Sequence, residues 1–484
     1  MPVRTGEARK VLLSGGYFFL LLASYYLLRP LRETFGISRG ADQLPLIWSC
    51  TLGAMAVINP LYSSLVARWP RRVFIPGVYQ CFALMLVGFG LLYHRLPGHG
   101  GAALGYTFYV WLSVFNLFVV SIFWAFMSDL YNNDDGKRLF GVIAIGGTLG
   151  AIAGASFTGR FSDWLGSGYS QWLFYASAFV LELAVLCVFA LFRIGNASRT
   201  ISAKSDEINI CMNNTKLRLM GIKRETQRFL KTRAKPALSK TCGRRFRVAM
   251  IPSCNLLIAT RHNTHCAGIS SGYGEPSQSA TAGLSLIGKS RLLQSISTYI
   301  LLYAIAGTFL YVLQGRIVEQ AFTDDAARTV AFARIDIWAN VLTLAAQLFL
   351  AHRLVARIGI PVSMMILPFA TLLGFGSLWL WPGFAAFAVF QVTRRGLHYA
   401  IDRPVREMLY IPLSPDAKYK AKSFIDTFVY RTGDFIGVWI TPMLKAMSLS
   451  LGIPSLAISA LWVGSAAWLS SHAKSNSSSN TSAM

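Results

Sequence analysis

The chain has 484 residues, 54% of them hydrophobic and only 14% charged, with a formal net charge of +25. A water-soluble domain carries about 25% charged residues, so this composition and a mean hydropathy of +0.47 exclude an ordinary soluble enzyme. The positive charge sits in loops and one central stretch, which reads as orientation in a membrane rather than as nucleic-acid binding.

The N-terminus, Met1 to Lys10, is short and basic, and an apolar block follows at once. No small-residue cleavage site follows that block, so it reads as a first membrane helix rather than a cleaved signal. Apolar blocks then fall at about 11–33, 45–67, 73–94, 102–128, 139–160 and 171–192, and again at 292–314, 335–352, 360–381, 384–410, 423–445 and 453–470. Each approaches the roughly 20 helical residues that cross a hydrocarbon core of about 30 Å. The expectation is an all-α membrane protein of twelve transmembrane helices in two six-helix bundles. Its parts are an N-terminal bundle at 1–195, a basic cytoplasmic linker at 196–290, a C-terminal bundle at 291–470 and a tail at 471–484.

With the N-terminus placed in the cytoplasm, the inner connections hold Arg4, Arg9, Lys10, Arg68, Arg71, Arg72, Lys137, Arg138, Arg353, Arg357, Lys418, Lys420 and Lys422. The outer ones hold Arg95, Arg160, Arg316, Arg328, Arg334 and Lys445. The asymmetry predicts both termini inside. The linker carries sixteen Lys or Arg against four acids and has no sustained periodicity. It reads as an unstructured connection, with anionic lipid as the alternative contact. The Ser- and Asn-rich tail reads as disordered by composition.

Seven cysteines with no paired short spacing argue against a disulfide framework. Cys254, His262, His265 and Cys266 fit no standard zinc spacing. There is no H-E-x-x-H, no G-x-S-x-G and no evident nucleophile–base pair. The reading therefore names no metal, no cofactor and no catalytic residue.

Two internal repeats support a duplicated architecture. Leu65-Val66-Ala67-Arg68 and Leu354-Val355-Ala356-Arg357 close blocks six helices apart, as parallel repeats require. Arg29-Pro30-Leu31-Arg32-Glu33 in block 1 matches Arg403-Pro404-Val405-Arg406-Glu407 in block 10. Those helices are equivalent if each half is itself built from two three-helix units, and such helices would line a central cavity. Charge inside a span is costly and persists where it meets water, a partner or a substrate. Each central proline removes a backbone hydrogen bond.

Block 10 carries Arg394, His398, Asp402 and Arg406 at successive i+4 positions, with Arg395, Tyr399, Arg403 and Glu407 one step on. That spacing predicts one polar stripe facing the cavity. Block 11 adds Asp426, Tyr430 and Asp434 with Arg431 adjacent, block 8 adds Asp336, Asn340 and Gln347, and block 6 contains Glu182. The acids read as partners of the arginines, gates or proton carriers. The arginines outnumber the acids, and arginine grips phosphate and carboxylate with two parallel hydrogen bonds. An anionic organic substrate is expected. Tyr26, Tyr109 and Trp124 are candidates to stack on a base, although such aromatics usually serve packing. In block 5, Gly146, Gly150 and Gly154 form overlapping G-x-x-x-G spacing, which predicts a close helix contact and not a phosphate loop.

Four stretches resemble the bacterial branch of the nucleotide (ATP/ADP) translocase family within the major facilitator superfamily. They are Arg29-Pro30-Leu31-Arg32-Glu33, Asp134-Asp135-Gly136-Lys137-Arg138-Leu139-Phe140-Gly141, Arg403-Pro404-Val405-Arg406-Glu407-Met408-Leu409-Tyr410 and Lys420-Ala421-Lys422-Ser423-Phe424-Ile425-Asp426. The resemblance covers about 1–194 and 290–470. It implies a major-facilitator-like fold, nucleotide exchange or uptake across a bacterial inner membrane, and roles for Arg32, Glu33, Arg406 and Glu407 in nucleotide transport. The family's exchangers generally carry lysine where Arg32 and Arg406 stand, and Tyr430-Arg431-Thr432-Gly433-Asp434 departs from their glycine- and lysine-rich continuation.

The sequence thus reads as an alternating-access transporter of an organic anion, with ATP or ADP as the leading substrate and exchange or proton coupling as the drive. The expected substrate residues are Arg29, Arg32, Glu33, Arg394, Arg395, Asp402, Arg403, Arg406 and Glu407. Asp426, Arg431 and Asp434 are expected to couple or gate. The competing reading is a non-transporting scaffold or lipid-surface sensor acting through the basic linker.

Overall fold

A lipid interior offers backbone N–H and C=O groups no partners, so a spanning segment must satisfy them internally. The apolar blocks do this as long helices. The computed structural model describes residues 7–38, 40–95, 99–131, 133–165, 168–194, 285–349, 351–410, 421–422, 424–446 and 452–481. The Cys254–Cys266 cluster and the linker expectation up to position 284 lie outside them; 285–289 are helical, and Ile287 joins the core of the second half.

The first half contains α1 (Ala8–Gly36), α2 (Leu44–Arg68), α3 (Arg71–Arg95), α4 (His99–Leu130), α5 (Asn133–Leu165) and α6 (Tyr169–Ile194). The second contains α7 (Arg291–Ala321), α8 (Asp325–Phe349), α9 (Ala351–Leu380), α10 (Phe384–Leu397, continued as Arg403–Met408), α11 (Tyr430–Ala446) and α12 (Gly452–Thr481). Among the described residues, ten helices are long and apolar enough to cross a membrane; α10 and α11 are the exceptions. The last apolar span, Gly452–His472, belongs to a helix that continues past position 470 to Thr481.

Each half has its own core. Tyr17, Tyr79, Phe115 and Phe123 centre the first; Tyr299, Phe309, Phe387 and Trp462 centre the second. Large apolar side chains such as Leu12, Leu84 and Trp164 point outward, as lipid permits and water would not. The fold is therefore all-α, in two bundles.

Glycine decides the closest crossings. A Cβ on Gly146 or Gly150 would collide with the backbone of Gly15 or Phe19 in α1, and one on Gly154 would stand 2.5 Å from Ala23 O. Thr158 Oγ1 then donates to Leu27 O at 2.8 Å. The G-x-x-x-G run of α5 thus seats backbone on backbone against α1. In the second half, Gly433 and Gly437 of α11 pack as closely on α7, where a Cβ would reach 2.8 Å from Leu301 O and 2.8 Å from Thr308 Cβ. The pairs α1–α5 and α7–α11 lie six helices apart, a repeat in three dimensions.

Among the described residues, two π turns interrupt the second half, at His398–Asp402 and Ile425–Val429. Pro404 explains the first, because it cannot donate to the carbonyl of Ala400 and the helix widens over the residues that lose that bond. Pro30 has no such effect, since α1 runs unbroken from Ala8 to Gly36. In α9, Gly359 adopts φ 76°, a left-handed conformation that favours glycine, and breaks the helix there.

The halves meet toward the end carrying the α1–α2 and α7–α8 connections. Ile37, Val318 and Phe332 form a shared apolar cluster. Ala41 N donates to Glu319 Oε2 at 3.1 Å, Thr34 and Thr329 hydroxyls lie 2.7 Å apart, and Arg316 pairs with Asp42 at 3.5 Å.

Candidate functional site

A polar cavity of about 350 Å³ opens between the halves, bounded by α1, α2, α4, α7, α10 and α11. Five arginines line it: Arg29, Arg32, Arg394, Arg395 and Arg431. Helical periodicity brings them together. Arg29 and Arg32 are three apart on α1, and α10 supplies Arg394 and Arg395 in its last turn.

Most of these charges are matched. Arg32 pairs with Glu33 at 2.5 Å and lies over the Tyr109 ring, 4.8 Å from its centre. Glu33 also accepts from Tyr311 at 2.5 Å, and the Tyr311 and Tyr109 hydroxyls are 2.5 Å apart. Trp48 Nε1 extends this chain to the Tyr109 hydroxyl at 3.0 Å. One wall is thus a hydrogen-bonded aromatic set fixed to the Arg32–Glu33 pair. Asp336 of α8, off the lining, binds Arg29 and Arg395 through the same oxygen, with 2.5 Å to Arg395. Arg431 lies 3.5 Å from Asp434, which also accepts from Thr308 at 3.4 Å.

Arg394 is different. Its side chain is 7% exposed and lies 5.1 Å over the Tyr303 ring, yet its Nε and Nη2 have no hydrogen-bond partner. A buried donor left unmet costs about 1–3 kcal/mol, more when charged, so such a group calls for a partner. Tyr303 in turn stacks on His398 at 4.8 Å.

The remaining expected residues lie elsewhere. Asp402 is buried behind the cavity, bound by Tyr299 at 2.5 Å and His398 at 3.1 Å. Arg403 and Glu407 are exposed, and Glu407 pairs with Lys422 at 2.5 Å. Arg406 lies off the lining, and Asp426 borders a second, mostly apolar cavity of about 540 Å³ that shares Arg431 with the first. The expected single stripe on α10 does not form. Arg403 lies nine positions after Arg394, about 13 Å along the axis, and the π turn between them shifts the register. Glu182 is exposed on α6. Trp124 packs on Phe18, Phe123 and Phe140, whereas Tyr109 lines the cavity and Tyr26 lies beneath Arg29.

Sequence reasoning noted Asp336 without placing it at the site, and it missed Tyr303, Tyr311 and Gln391. Asp336 had a usable signal, an acid inside an apolar block. Tyrosine and glutamine in a helix have none.

Solved transporters share this arrangement of helices. The nucleoside transporter NupG matches with a TM-score of 0.55 at 13% identity, covering 96% of this chain and 98% of that one. A point mutant of the same transporter matches at 0.56 and 13% identity, covering 96% and 99%. A bacterial homolog of the human lysosomal transporter Spinster, in an inward-facing and occupied conformation, matches at 0.50 and 14% identity, covering 98% and 97%. At these identities the likeness is one of fold. No family model matches the sequence, and no curated protein matches it.

Proposed function

We propose that this chain is a secondary active transporter of an organic anion carrying phosphate, with a nucleotide as the leading class. The observation that carries the reading is the convergence of five arginines from α1, α10 and α11 on one cavity between the halves. Buried arginines are expensive unless balanced, and a phosphate suits the guanidinium fork. The aromatic wall of Trp48, Tyr109 and Tyr311 offers a planar base something to stack on. The fold shared with NupG and the Spinster homolog adds a scaffold on which transport is a known use. The resemblance of the Arg29–Glu33 stretch to nucleotide translocases favours the same class.

The proposed substrate set is Arg29, Arg32, Glu33, Arg394 and Arg395, with Arg431 and Asp434 gating from α11. The loop charges favour both termini inside, and the resemblance to the translocases favours a bacterial inner membrane. The test is uptake of radiolabelled ATP, ADP and AMP into proteoliposomes, with and without internal nucleotide, for wild type, Arg32→Ala and Arg394→Gln. Uptake lost in both variants supports the reading. No anion uptake by folded wild-type protein overturns it.

A further inference from the structure

Among the described residues, Arg394 is the one lining arginine without a carboxylate partner. Arg29 and Arg395 share Asp336, Arg32 has Glu33, and Arg431 has Asp434. Arg394 has no carboxylate partner among the described residues, and two of its nitrogens are buried and unmet. Its surroundings hold the guanidinium without quenching it. The Tyr303 ring supports one face. Gly307 of α7 leaves room for it, since a Cβ there would stand 2.8 Å from Nη2.

One turn earlier on α10, Gln391 is also 7% exposed and lines the same cavity. Its amide donates to Gln314 Oε1 at 2.7 Å, and its own Oε1 is buried without a partner. Positions 391 and 394 share a helix face. An unmet acceptor and two unmet, charged donors therefore lie within one helical turn of each other.

Resting on the transport reading above, we propose that Gln391 and Arg394 form a subsite for a phosphate monoester dianion, and that such a dianion is the preferred substrate. Arg394 takes two phosphate oxygens. Gln391 Oε1 accepts from a hydroxyl or N–H of the same molecule. Charge balance selects the dianion. Five lining arginines face three carboxylates, Glu33, Asp336 and Asp434, which leaves a surplus of two positive charges. In a site partly removed from water, uncompensated charge of either sign is penalised. A neutral nucleoside leaves Arg394 unmet, and the greater charge of ADP or ATP overshoots the surplus.

The test is equilibrium binding of radiolabelled AMP, ADP, ATP and adenosine to the full-length protein in nanodiscs, with inorganic phosphate as competitor. AMP is expected to bind at least tenfold tighter than ATP, and inorganic phosphate to displace it only at far higher concentration. Arg394→Gln is expected to weaken AMP at least tenfold, and Gln391→Leu and Gly307→Ala several-fold. If Arg394→Gln does not fold, Arg394→Lys serves, because it keeps the charge and loses the fork. ATP binding as tightly as AMP, phosphate matching AMP, or AMP affinity unchanged in the position-394 variant overturns the subsite. Each of those results leaves the transport reading standing if anion uptake persists. Absence of all anion uptake by folded protein overturns both.

Discussion

Arg29 and Asp336 stand 307 residues apart, in opposite halves of the chain, and form an ion pair whose acid is buried and whose arginine is half-buried. The same Asp336 oxygen holds Arg395, so one carboxylate ties α1 of the first bundle to α10 of the second.

Removing this carboxylate strands Arg395 and leaves Arg29 only Glu33, 4.0 Å away, whereas removing either arginine leaves the carboxylate one partner. Breaking a buried pair costs about 3–5 kcal/mol. Asp336→Asn is expected to lower the thermal unfolding midpoint more than Arg29→Gln or Arg395→Gln, and Arg29→Gln with Asp336→Asn to recover part of the loss. Melting curves of the four variants in detergent check this; equal losses for all three single variants would count against the shared-carboxylate geometry.

Gly150 and Gly433 bear backbone crossings in equivalent helices, whereas a Cβ added to Gly141 on α5 would meet nothing within 4 Å. Overpacking costs about 1–3 kcal/mol where side chains can yield, and a backbone carbonyl yields less. Gly150→Leu and Gly433→Leu are expected to abolish folded protein, and Gly141→Ala to leave it unchanged, by size-exclusion chromatography.

Glu407 belongs to the repeated motif but is paired with Lys422 at the surface. Exposed pairs contribute about 0–1 kcal/mol. Glu407→Gln is expected to change uptake less than threefold, against a loss of tenfold or more for Arg394→Gln. A tenfold loss in Glu407→Gln would return the motif to the transport site.

The basic stretch 196–290 decides between the transporter and the lipid-surface sensor. Replacing 200–285 with a short Gly/Ser segment is expected to preserve uptake. Loss of uptake with intact folding would make the stretch functional in its own right.

Much of this protein was legible in one dimension. Apolar runs of about 20 residues identify spans because lipid admits little else, and the Gly146–Gly154 spacing announced a close crossing because only hydrogen fits between two backbones. The cationic character of the centre was legible from Arg29, Arg32, Arg394 and Arg395, whose charge has no reason to stay in lipid.

Which of those charges meet was a tertiary matter. The sequence repeats Arg-Pro-x-Arg-Glu twice, yet the first copy lines the cavity and the second lies beyond it. The reason is depth along α10 and a π turn that a fixed 3.6-residue period does not anticipate. Asp336 became a partner of Arg29 only when two bundles closed on each other. Arg394 became the unmatched cation only when its four neighbours had taken their acids. Periodicity along the chain determines that a segment spans and which face is polar; pairing across 307 positions depends on packing between helices that the local sequence does not encode.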